Sequence, residues 1–362
     1  MNQHFIPLPR RWPRAAASLL ALLAAAHSSQ GQNYNAGPAG VYSGSLYHGD
    51  SFTNTAAFTN SASTISYGGS GTTFTNSSTY SYASTATDQF VGTGPQRIAG
   101  TVAPGFYNLV LNNGSTAAFT ISNTAGLDVS NALTLNNGIT TVSAGTVAAA
   151  LRLGSGATVG GTFGTASYVD GYVGKAGTSS FTYPLGATNP SANTGNTTAA
   201  GAAIYSPLTL SNPGGTAVRY VAGGPPSGTL ATQSVALQLA AVSNREYYAL
   251  GAGTVPSGTT ITLPYGNFGA ASDGKAYMGD PSTFTIAAYD GTNWTNLSAT
   301  AANNVNTTAK TVTVGLAAAL STSYTALALA ATNPLPPLPV VLVCFAAGSG
   351  GSGLVAASAR AV

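Results

Sequence analysis

A six-residue phrase that occurs twice is the strongest constraint on how this chain folds. It reads "LVLNNG" at residues 109–114 and "LTLNNG" at residues 133–138, so the two copies begin 24 residues apart. A shorter phrase, "FTN", occurs at residues 52, 58 and 74, and the first and third copies begin 22 residues apart. Intervals of about 22–24 residues are typical of one turn of a β-solenoid, in which each short strand stacks on its counterpart in the next turn.

The alternation within the phrase predicts which side chains point inward. Leu133 and Leu135 flank Thr134, so in a strand the two leucines lie on one face and the threonine on the other. Residues 136–138 are expected to turn the corner, because Asn and Gly adopt the left-handed conformation at low cost. Stacked Asn corners would add side-chain amide ladders. The alternative is two ordinary hairpins in a sandwich, each with a two-residue Asn-Gly turn.

The composition favours strands throughout. Charged residues make up 5% of the 362 residues and hydrophobic residues 44%, whereas disordered chains pair low hydrophobicity with high net charge. The polar residues are mainly Thr, Ser and Asn, which suit strands and turns. We therefore predict an all-β protein, with a short right-handed parallel β-solenoid followed by an antiparallel β-sandwich.

The chain divides into four predicted segments. The repeats place the solenoid at residues 32–180, and residues 181–332 change to the alternation and turn spacing of a sandwich. Within the sandwich, "TFTIAAYDGTNWTNL" at residues 283–297 predicts a hairpin that turns at Asp290-Gly291. Residues 333–362 form a Pro-rich linker and a low-complexity tail that is predicted to be truncated.

The first segment, residues 1–31, reads as a cleaved signal peptide. Arg10, Arg11 and Arg14 precede a 12-residue apolar run at residues 15–26, which is too short to span a bilayer. The alternative is a short membrane anchor. Three of the eleven Lys and Arg residues belong to this leader, so eight basic residues remain against eight acidic ones. A mature net charge of zero predicts no nucleic-acid partner, and the absence of a stop-transfer pattern predicts no membrane insertion.

The sequence offers no convincing catalytic, cofactor or metal residues. The mature chain has a single histidine, His48, which we place in a surface turn, whereas triads and zinc sites need several converging groups. The glycine run at residues 154–161 lacks the Lys and the helix of a phosphate loop. The single cysteine, Cys344, rules out an internal disulfide and is interpreted as an incidental thiol.

The acidic residues are candidates for a catalytic or calcium cluster, because glycosidases need two carboxyl groups on one face and calcium sites need several carboxylates. Four aspartates in the solenoid are separated by 38, 40 and 42 residues, so they are expected to stack loosely on one side, about 10 Å apart. That separation is too large for one shared ion. The acids of the mature chain are Asp50, Asp88, Asp128, Asp170, Glu246, Asp273, Asp280 and Asp290.

The tyrosines of the amino-terminal half support two interpretations. They either fill core and corner positions or form an exposed adhesive platform, because the ring offers contact area at small entropic cost. The residues concerned are Tyr42, Tyr47, Tyr67, Tyr80 and Tyr82.

Several longer phrases carry a resemblance to a family. They are "FVGTGPQRIAGTVAPGFYNLVLNNG" at residues 90–114, "SYVDGYVGKAGTSSFTYPLG" at 167–186, the hairpin at 291–294 and Leu-Pro-Val at 338–340. In these the chain resembles the large surface proteins that bacteria of the gliding type export through the type IX secretion system. The resemblance implies β-rich architecture and surface display, and no catalytic residues. In that family a sorting domain follows the Leu-Pro-Val phrase, whereas here about 20 residues follow.

These observations predict a secreted or outer-surface protein with a structural or adhesin-like function and no enzymatic activity. Its expected partner is a polysaccharide or an abiotic surface, and no cofactor is expected. The alternative is a polysaccharide-binding or polysaccharide-degrading β-helix protein.

Overall fold

The computed structural model describes most of the chain between residues 33 and 332. The described ranges are 33–35, 40–42, 44–61, 63–114, 119–143, 150–188, 202–234, 237–251, 253–265, 280–298 and 304–332. The predicted leader, the predicted tail, Cys344 and Asp273 lie outside them. No helix in the described ranges combines the length and the apolar character that crossing a bilayer requires.

The amino-terminal part is a parallel β-solenoid. Its first sheet joins β1-β4-β7-β10-β12-β14-β17, its second β2-β5-β8, and its third runs from β3 through β6, β9, β11, β13 and β15 to β18, with β16 also paired to β13. The strands are β1 (Asn33–Asn35), β2 (Gly40–Tyr42), β3 (Leu46–His48), β4 (Phe52–Asn54), β5 (Phe58–Asn60), β6 (Thr64–Tyr67), β7 (Thr73–Asn76), β8 (Tyr80–Tyr82), β9 (Thr87–Phe90), β10 (Gln96–Gly100), β11 (Gly105–Asn112), β12 (Phe119–Ile121), β13 (Leu127–Asn137), β14 (Thr140–Val142), β15 (Leu151–Leu153), β16 (Thr158–Gly161), β17 (Val169–Asp170) and β18 (Val173–Lys175).

The repeated leucine phrase builds equivalent strands in successive turns. Strands β11 and β13 pair in parallel, with Leu109 opposite Leu133 and Leu111 opposite Leu135. All four leucines are buried. The solenoid prediction is therefore confirmed, and the two-hairpin alternative is wrong.

The "FTN" repeat stacks in the same way on the first sheet. Phe52 lies opposite Phe74 and Asn54 opposite Asn76. The two phenylalanine rings stack with centroids 5.5 Å apart. The Asn54 amide donates a 2.7 Å hydrogen bond to Oδ1 of Asn76. One side-chain amide bond thus joins these turns, between strand residues rather than at the Asn-Asn-Gly corners. It does not continue as a ladder, because the Asn76 amide donates to the Val102 carbonyl at 2.9 Å.

The two Asn-Asn-Gly segments differ in backbone conformation, which corrects the prediction of equivalent corners. Gly138 has φ +88°, whereas Gly114 is outside the left-handed region. The register also shifts after the leucines, so that Asn112 lies opposite Asn137 and Asn136 is an extra residue. The Asn113 amide donates to the Gly94 carbonyl at 2.7 Å instead of to a stacked Asn. The same letters therefore close two different corners, because the bulge displaces one of them by a residue.

The carboxyl-terminal part consists of antiparallel sheets, as predicted, apart from the parallel pairing of β24 with β29. One sheet has the order β19-β22-β27-β31-β30, a second pairs β20 with β21, and the third sheet continues through β23, β26, β32, β28 and β29 to β24, with β25 beside β32. A 3-10 turn spans Pro281–Thr283. The strands are β19 (Phe181–Tyr183), β20 (Gly186–Thr188), β21 (Ala203–Tyr205), β22 (Leu208–Leu210), β23 (Ala217–Ala222), β24 (Thr229–Leu230), β25 (Leu239–Val242), β26 (Glu246–Leu250), β27 (Thr260–Pro264), β28 (Phe284–Tyr289), β29 (Asn293–Asn296), β30 (Asn304–Asn306), β31 (Thr311–Gly315) and β32 (Ala326–Thr332).

The predicted hairpin is present, and its first strand is buried on both faces. Strands β28 and β29 pair antiparallel, with Tyr289 opposite Trp294, and Gly291 at the turn has φ +98°. Every residue of β28 is buried. Phe284 and Ile286 belong to the main core, while Ala287 and Tyr289 join a second cluster with Trp294. Simple alternation did not predict this second cluster, because small residues such as Ala287 give no clear signal of burial.

The solenoid and the antiparallel part share one sheet. Strand β18 pairs in parallel with β15 on one side and antiparallel with β23 on the other. The apolar core also runs without interruption from Phe52 in the solenoid to Leu329 in β32. The division at residue 180 stays a prediction, because no boundary of the sheet or of the core falls there.

Two neighbouring residues of β7 test the inward stacking. Phe74 is fully buried and its ring contacts those of Phe52, Tyr67, Tyr80, Phe90 and Phe106. We expect Phe74→Ala to lower the free energy of unfolding by about 3–5 kcal/mol. Thr75→Ala, on the outer face, should cost less than about 1 kcal/mol. Urea unfolding followed by circular dichroism measures both, and equal costs would contradict the stacking argument.

Candidate functional site

The four solenoid aspartates do not stack on one side, so that expectation is wrong. Asp50 lies in a bend before β4, and Asp88 points inward from β9. Asp128 lies on the partly exposed side of β13, and Asp170 ends β17 in a different sheet. The spacing misled because turn length varies along the solenoid, so that residues about 40 apart occupy different columns.

Two of these aspartates pair with arginines. Arg152 lies opposite Asp128 on the neighbouring parallel strand. Its Nε donates to Oδ1 of Asp128 at 2.7 Å, and its Nη2 donates to Oδ2 at 3.2 Å. Asp170 lies 3.7 Å from the Arg219 guanidinium of β23. Burial raises the pKa of Asp170, and the Arg219 charge opposes that rise. The second pair links the solenoid to the antiparallel part.

Asp88 is the centre of a polar cluster within the solenoid core. Its side chain is fully buried, although its strand neighbours across the sheet are Ile65 and Leu109. The Tyr80 hydroxyl donates to Oδ1 at 2.5 Å, and the Asn60 amide donates to Oδ2 at 3.1 Å.

A second tyrosine extends this cluster. The Tyr67 hydroxyl donates to Oδ1 of Asp88 at 3.4 Å and lies 3.3 Å from the Tyr80 hydroxyl. Because a tyrosine hydroxyl both donates and accepts, the two rings can satisfy the carboxyl group in either protonation state.

The environment makes Asp88 a weak acid. Burial raises the pKa of Asp88 from 3.8 to about 7, against the opposing effect of the hydrogen bonds from Tyr80, Asn60 and Tyr67. A carboxyl group with such a pKa is often a general acid. Asp88 has no exposed surface, however, so a substrate cannot contact it in this structure. The cluster is therefore part of the core.

His48 is buried rather than placed in a surface turn, so that prediction is wrong. Its ring is 4% exposed and stacks on Tyr67, with centroids 5.4 Å apart and planes 13° from parallel. Neither ring nitrogen has a hydrogen-bond partner among the described residues. Burial lowers the pKa of His48 from 6.5 to about 4. The alternation of Leu46 and His48 in β3 was the signal that could have placed the ring inward.

Sequence reasoning also missed Lys175, a buried side chain that carries a charge. It is 3% exposed, and its ammonium donates to the carbonyls of Gly154, Ser155 and Ala157 at 2.6, 2.9 and 2.8 Å. Burial lowers its pKa. The ammonium also lies 5.5 Å from the centre of the Phe181 ring. The glycine run at residues 154–161 therefore does meet a lysine, but the lysine binds its carbonyls and does not face a phosphate.

A cleft of about 580 Å³ lies beside this lysine, where the third sheet forks. The first half of β13 pairs with β15, which leads to β18, while its second half pairs with β16. The gap that this fork leaves is bounded by β16, β19 and the end of β21. The lining residues are Ser155, Gly156, Ala157, Thr158, Val159, Phe163, Lys175, Ser179, Ser180, Phe181, Thr182, Pro184 and Tyr205.

A second cleft, of about 600 Å³, adjoins the Asn-Asn-Gly corners. It has no aromatic or charged side chain in its described lining, and therefore offers little for specific recognition. Its lining residues are Gly114, Asn137, Gly138, Ile139, Thr165, Ala166 and Ala203.

The tyrosines divide between the two interpretations. Tyr67 and Tyr80 are in the core, whereas Tyr47 is 57% exposed. Tyr82 is half-buried and its ring lies 5.8 Å from that of Tyr107. The side chain of Tyr42 is outside the described residues.

The described acids and histidines form no metal cluster: no three His, Cys, Asp or Glu residues of the described ranges converge. Glu246 is 2% exposed and accepts a 2.6 Å hydrogen bond from Tyr220. Asp290 accepts from the backbone of Thr292 and Asn293, which confirms its role in a turn.

The chain matches no protein-family model and has no significant similarity to a curated protein or to a solved structure. The fold nevertheless defines a class, that of all-β proteins with a parallel solenoid joined to antiparallel sheets. The resemblance to type IX surface proteins stays a prediction.

Asp88→Asn tests the buried acid. Because the pKa of Asp88 is raised in the folded state, its contribution to stability is present below about pH 4 and is lost as pH rises through about 7. The amide keeps the shape and removes this titration. We expect the free energy of unfolding of Asp88→Asn to fall by about 2–3 kcal/mol from pH 7 to pH 4, because the effect of His48 is then no longer opposed by that of Asp88. Urea unfolding at each pH measures it.

His48→Phe should change the pH dependence in the opposite direction. The pKa of His48 is lowered, so its contribution is present above about pH 6.5 and is lost as pH falls through about 4. Without it, stability should rise by about 3–4 kcal/mol from pH 7 to pH 4 as Asp88 gains its proton. The unsubstituted protein should show a smaller change than either variant. If both variants kept the original profile, neither group would titrate as described.

Proposed function

We propose that this protein is an exported, non-catalytic surface protein that adheres to uncharged polysaccharide or abiotic surfaces through the outer faces of its solenoid. Export rests on the leader pattern at residues 1–31, and the type IX route rests on the family resemblance. An outer-surface location follows from export together with this route.

The observation that carries the proposal is the column of hydroxyl side chains on the outer faces. On the first sheet Thr53 lies opposite Thr75 in one column, and Thr120 lies opposite Thr141 in the adjacent column. On the second sheet the Thr59 hydroxyl lies 2.8 Å from that of Ser81. Because parallel strands repeat at about 4.8 Å, these hydroxyls form short, regularly spaced uncharged rows.

Such rows bind by many weak contacts in parallel. Each hydroxyl hydrogen bond contributes little by itself, since it replaces a hydrogen bond to water, but contacts on a rigid frame combine through high effective concentration. Charge contributes little, because the mature chain is predicted to have no net charge. The charged residues at the ends of the second column are Arg97, opposite Thr120, and Asp170, opposite Thr141, while Thr75 lies opposite Ala99. Binding should therefore depend weakly on salt.

The degrading alternative needs two carboxyl groups that face one groove. Of the described solenoid acids, Asp88 is enclosed in the core and Asp128 is held by Arg152. These contacts favour binding over cleavage. Incubation with soluble polysaccharides, followed by measurement of new reducing ends, tests this: steady release would overturn the non-catalytic part of the proposal.

Retention on insoluble polysaccharide tests adhesion. We expect the protein to stay bound to cellulose or chitin in 1 M NaCl, because the contacting groups are uncharged. The triple variant Thr53→Val, Thr75→Val and Thr141→Val removes hydroxyls but keeps the branched shape, and should reduce retention several-fold. Thr260→Val, at an exposed position of β27 in the antiparallel part, is the control outside the solenoid. Release at modest salt, or equal retention of both variants, would contradict the proposal.

A further inference from the structure

We infer that the cleft between β16, β19 and β21 is a discrete binding site for a short segment of a neutral saccharide. This inference rests on the proposed function for its class of partner. It adds a specific site at the fork of the sheet to the extended and less specific outer faces of the solenoid.

Aromatic rings at the cleft offer an apolar surface for a sugar. Phe163, just after β16, is 37% exposed and lines the cleft. Tyr205 contributes a half-buried ring at the end of β21. A pyranose has apolar C–H faces, and rings that combine apolar area with few rotatable bonds bind such faces at small entropic cost.

Hydroxyl groups supply the polar contacts. Ser155, Ser179 and Ser180 line the cleft and are exposed. Their hydroxyls form no hydrogen bond with another described residue, whereas that of Thr182 is engaged by Thr209 at 2.8 Å. Three uncommitted hydroxyls, each able to donate and accept, complement the hydroxyls of a sugar.

The donor groups of the cleft favour a neutral over an anionic ligand. Its single charged residue is Lys175, whose three N–H groups already donate to Gly154, Ser155 and Ala157. The lysine thereby fixes the backbone beside Ser155 instead of offering a free positive charge. The remaining described lining residues are uncharged, so a phosphate or a uronic acid would find no free ammonium N–H to replace the water that it loses.

The size of the cleft suits more than one sugar ring. Its volume of about 580 Å³ falls within the range of about 300–1,000 Å³ that is typical of small-molecule sites. Because the cleft is open to solvent on the side of Ser179 and Ser180, a polysaccharide could lie along it as a continuous chain.

Calorimetric titration of the full chain tests the site. The probes are cello-, xylo-, laminari- and chito-oligosaccharides, with oligogalacturonate and inorganic phosphate as charged comparators. We expect at least one neutral oligosaccharide to bind and neither charged probe to bind. Phe163→Ala should weaken binding at least tenfold. Ser180→Asp, which adds a carboxylate without disturbing the core, should also weaken it. Tyr47→Ala, at an exposed tyrosine outside the cleft, should leave it unchanged, and thermal unfolding verifies that all variants fold.

The outcomes separate this inference from the proposed function. If no probe binds while the protein is still retained on cellulose or chitin, the cleft is not the site and the adhesive face stands. If a neutral oligosaccharide binds but insoluble polysaccharide is not retained, the cleft stands and the adhesive face is wrong. Equal loss in Phe163→Ala and Tyr47→Ala, or preference for oligogalacturonate or phosphate, would overturn the inference.

Discussion

In-register stacking of inward side chains between successive parallel turns is the interaction on which the rest of the structure depends. Leu111 on Leu135, and Phe52 on Phe74, each place a side chain against its equivalent one strand away. Within a strand, alternate residues point outward, so the same register that fills the core also aligns the threonines outside. A slip of one residue would exchange the two sets. The core therefore determines the geometry of the proposed adhesive face.

The core accepts polar groups where they satisfy one another or are uncharged. Asp88 is surrounded by hydroxyl and amide donors and is held as a weak acid, and His48 stacks as a neutral ring on Tyr67. Burial opposes ionisation of both groups, but it raises the pKa of the acid and lowers that of the base. Their effects on stability therefore have opposite signs in the same pH interval, which moderates the pH dependence of the amino-terminal turns.

The junction between the parallel and antiparallel parts has a different physical origin. Strand β13 is longer than its successors, so β15 and β16 divide it between them. Only β15 leads through β18 into the antiparallel sheet, and the edge of β16 is left beside β19. Lys175 stabilises this arrangement because its ammonium satisfies three carbonyls of the turn before β16. The cleft is thus a consequence of how a solenoid sheet is converted into an antiparallel one.

The sequence by itself determined the class of fold, the parallel stacking of the repeated phrases and the hairpin at Asp290-Gly291. These depend on periodicity and turn chemistry, which are local properties. It did not place His48, Asp88 and Lys175, because charge and polarity predicted the surface while the alternation of β3, β9 and β18 pointed them inward. Nor did it predict the different corners at Gly114 and Gly138. Only the tertiary structure decided these features, because turn length, bulges and the fork at β13 set which distant residues meet, and the environment created there overrides the intrinsic preference of each residue.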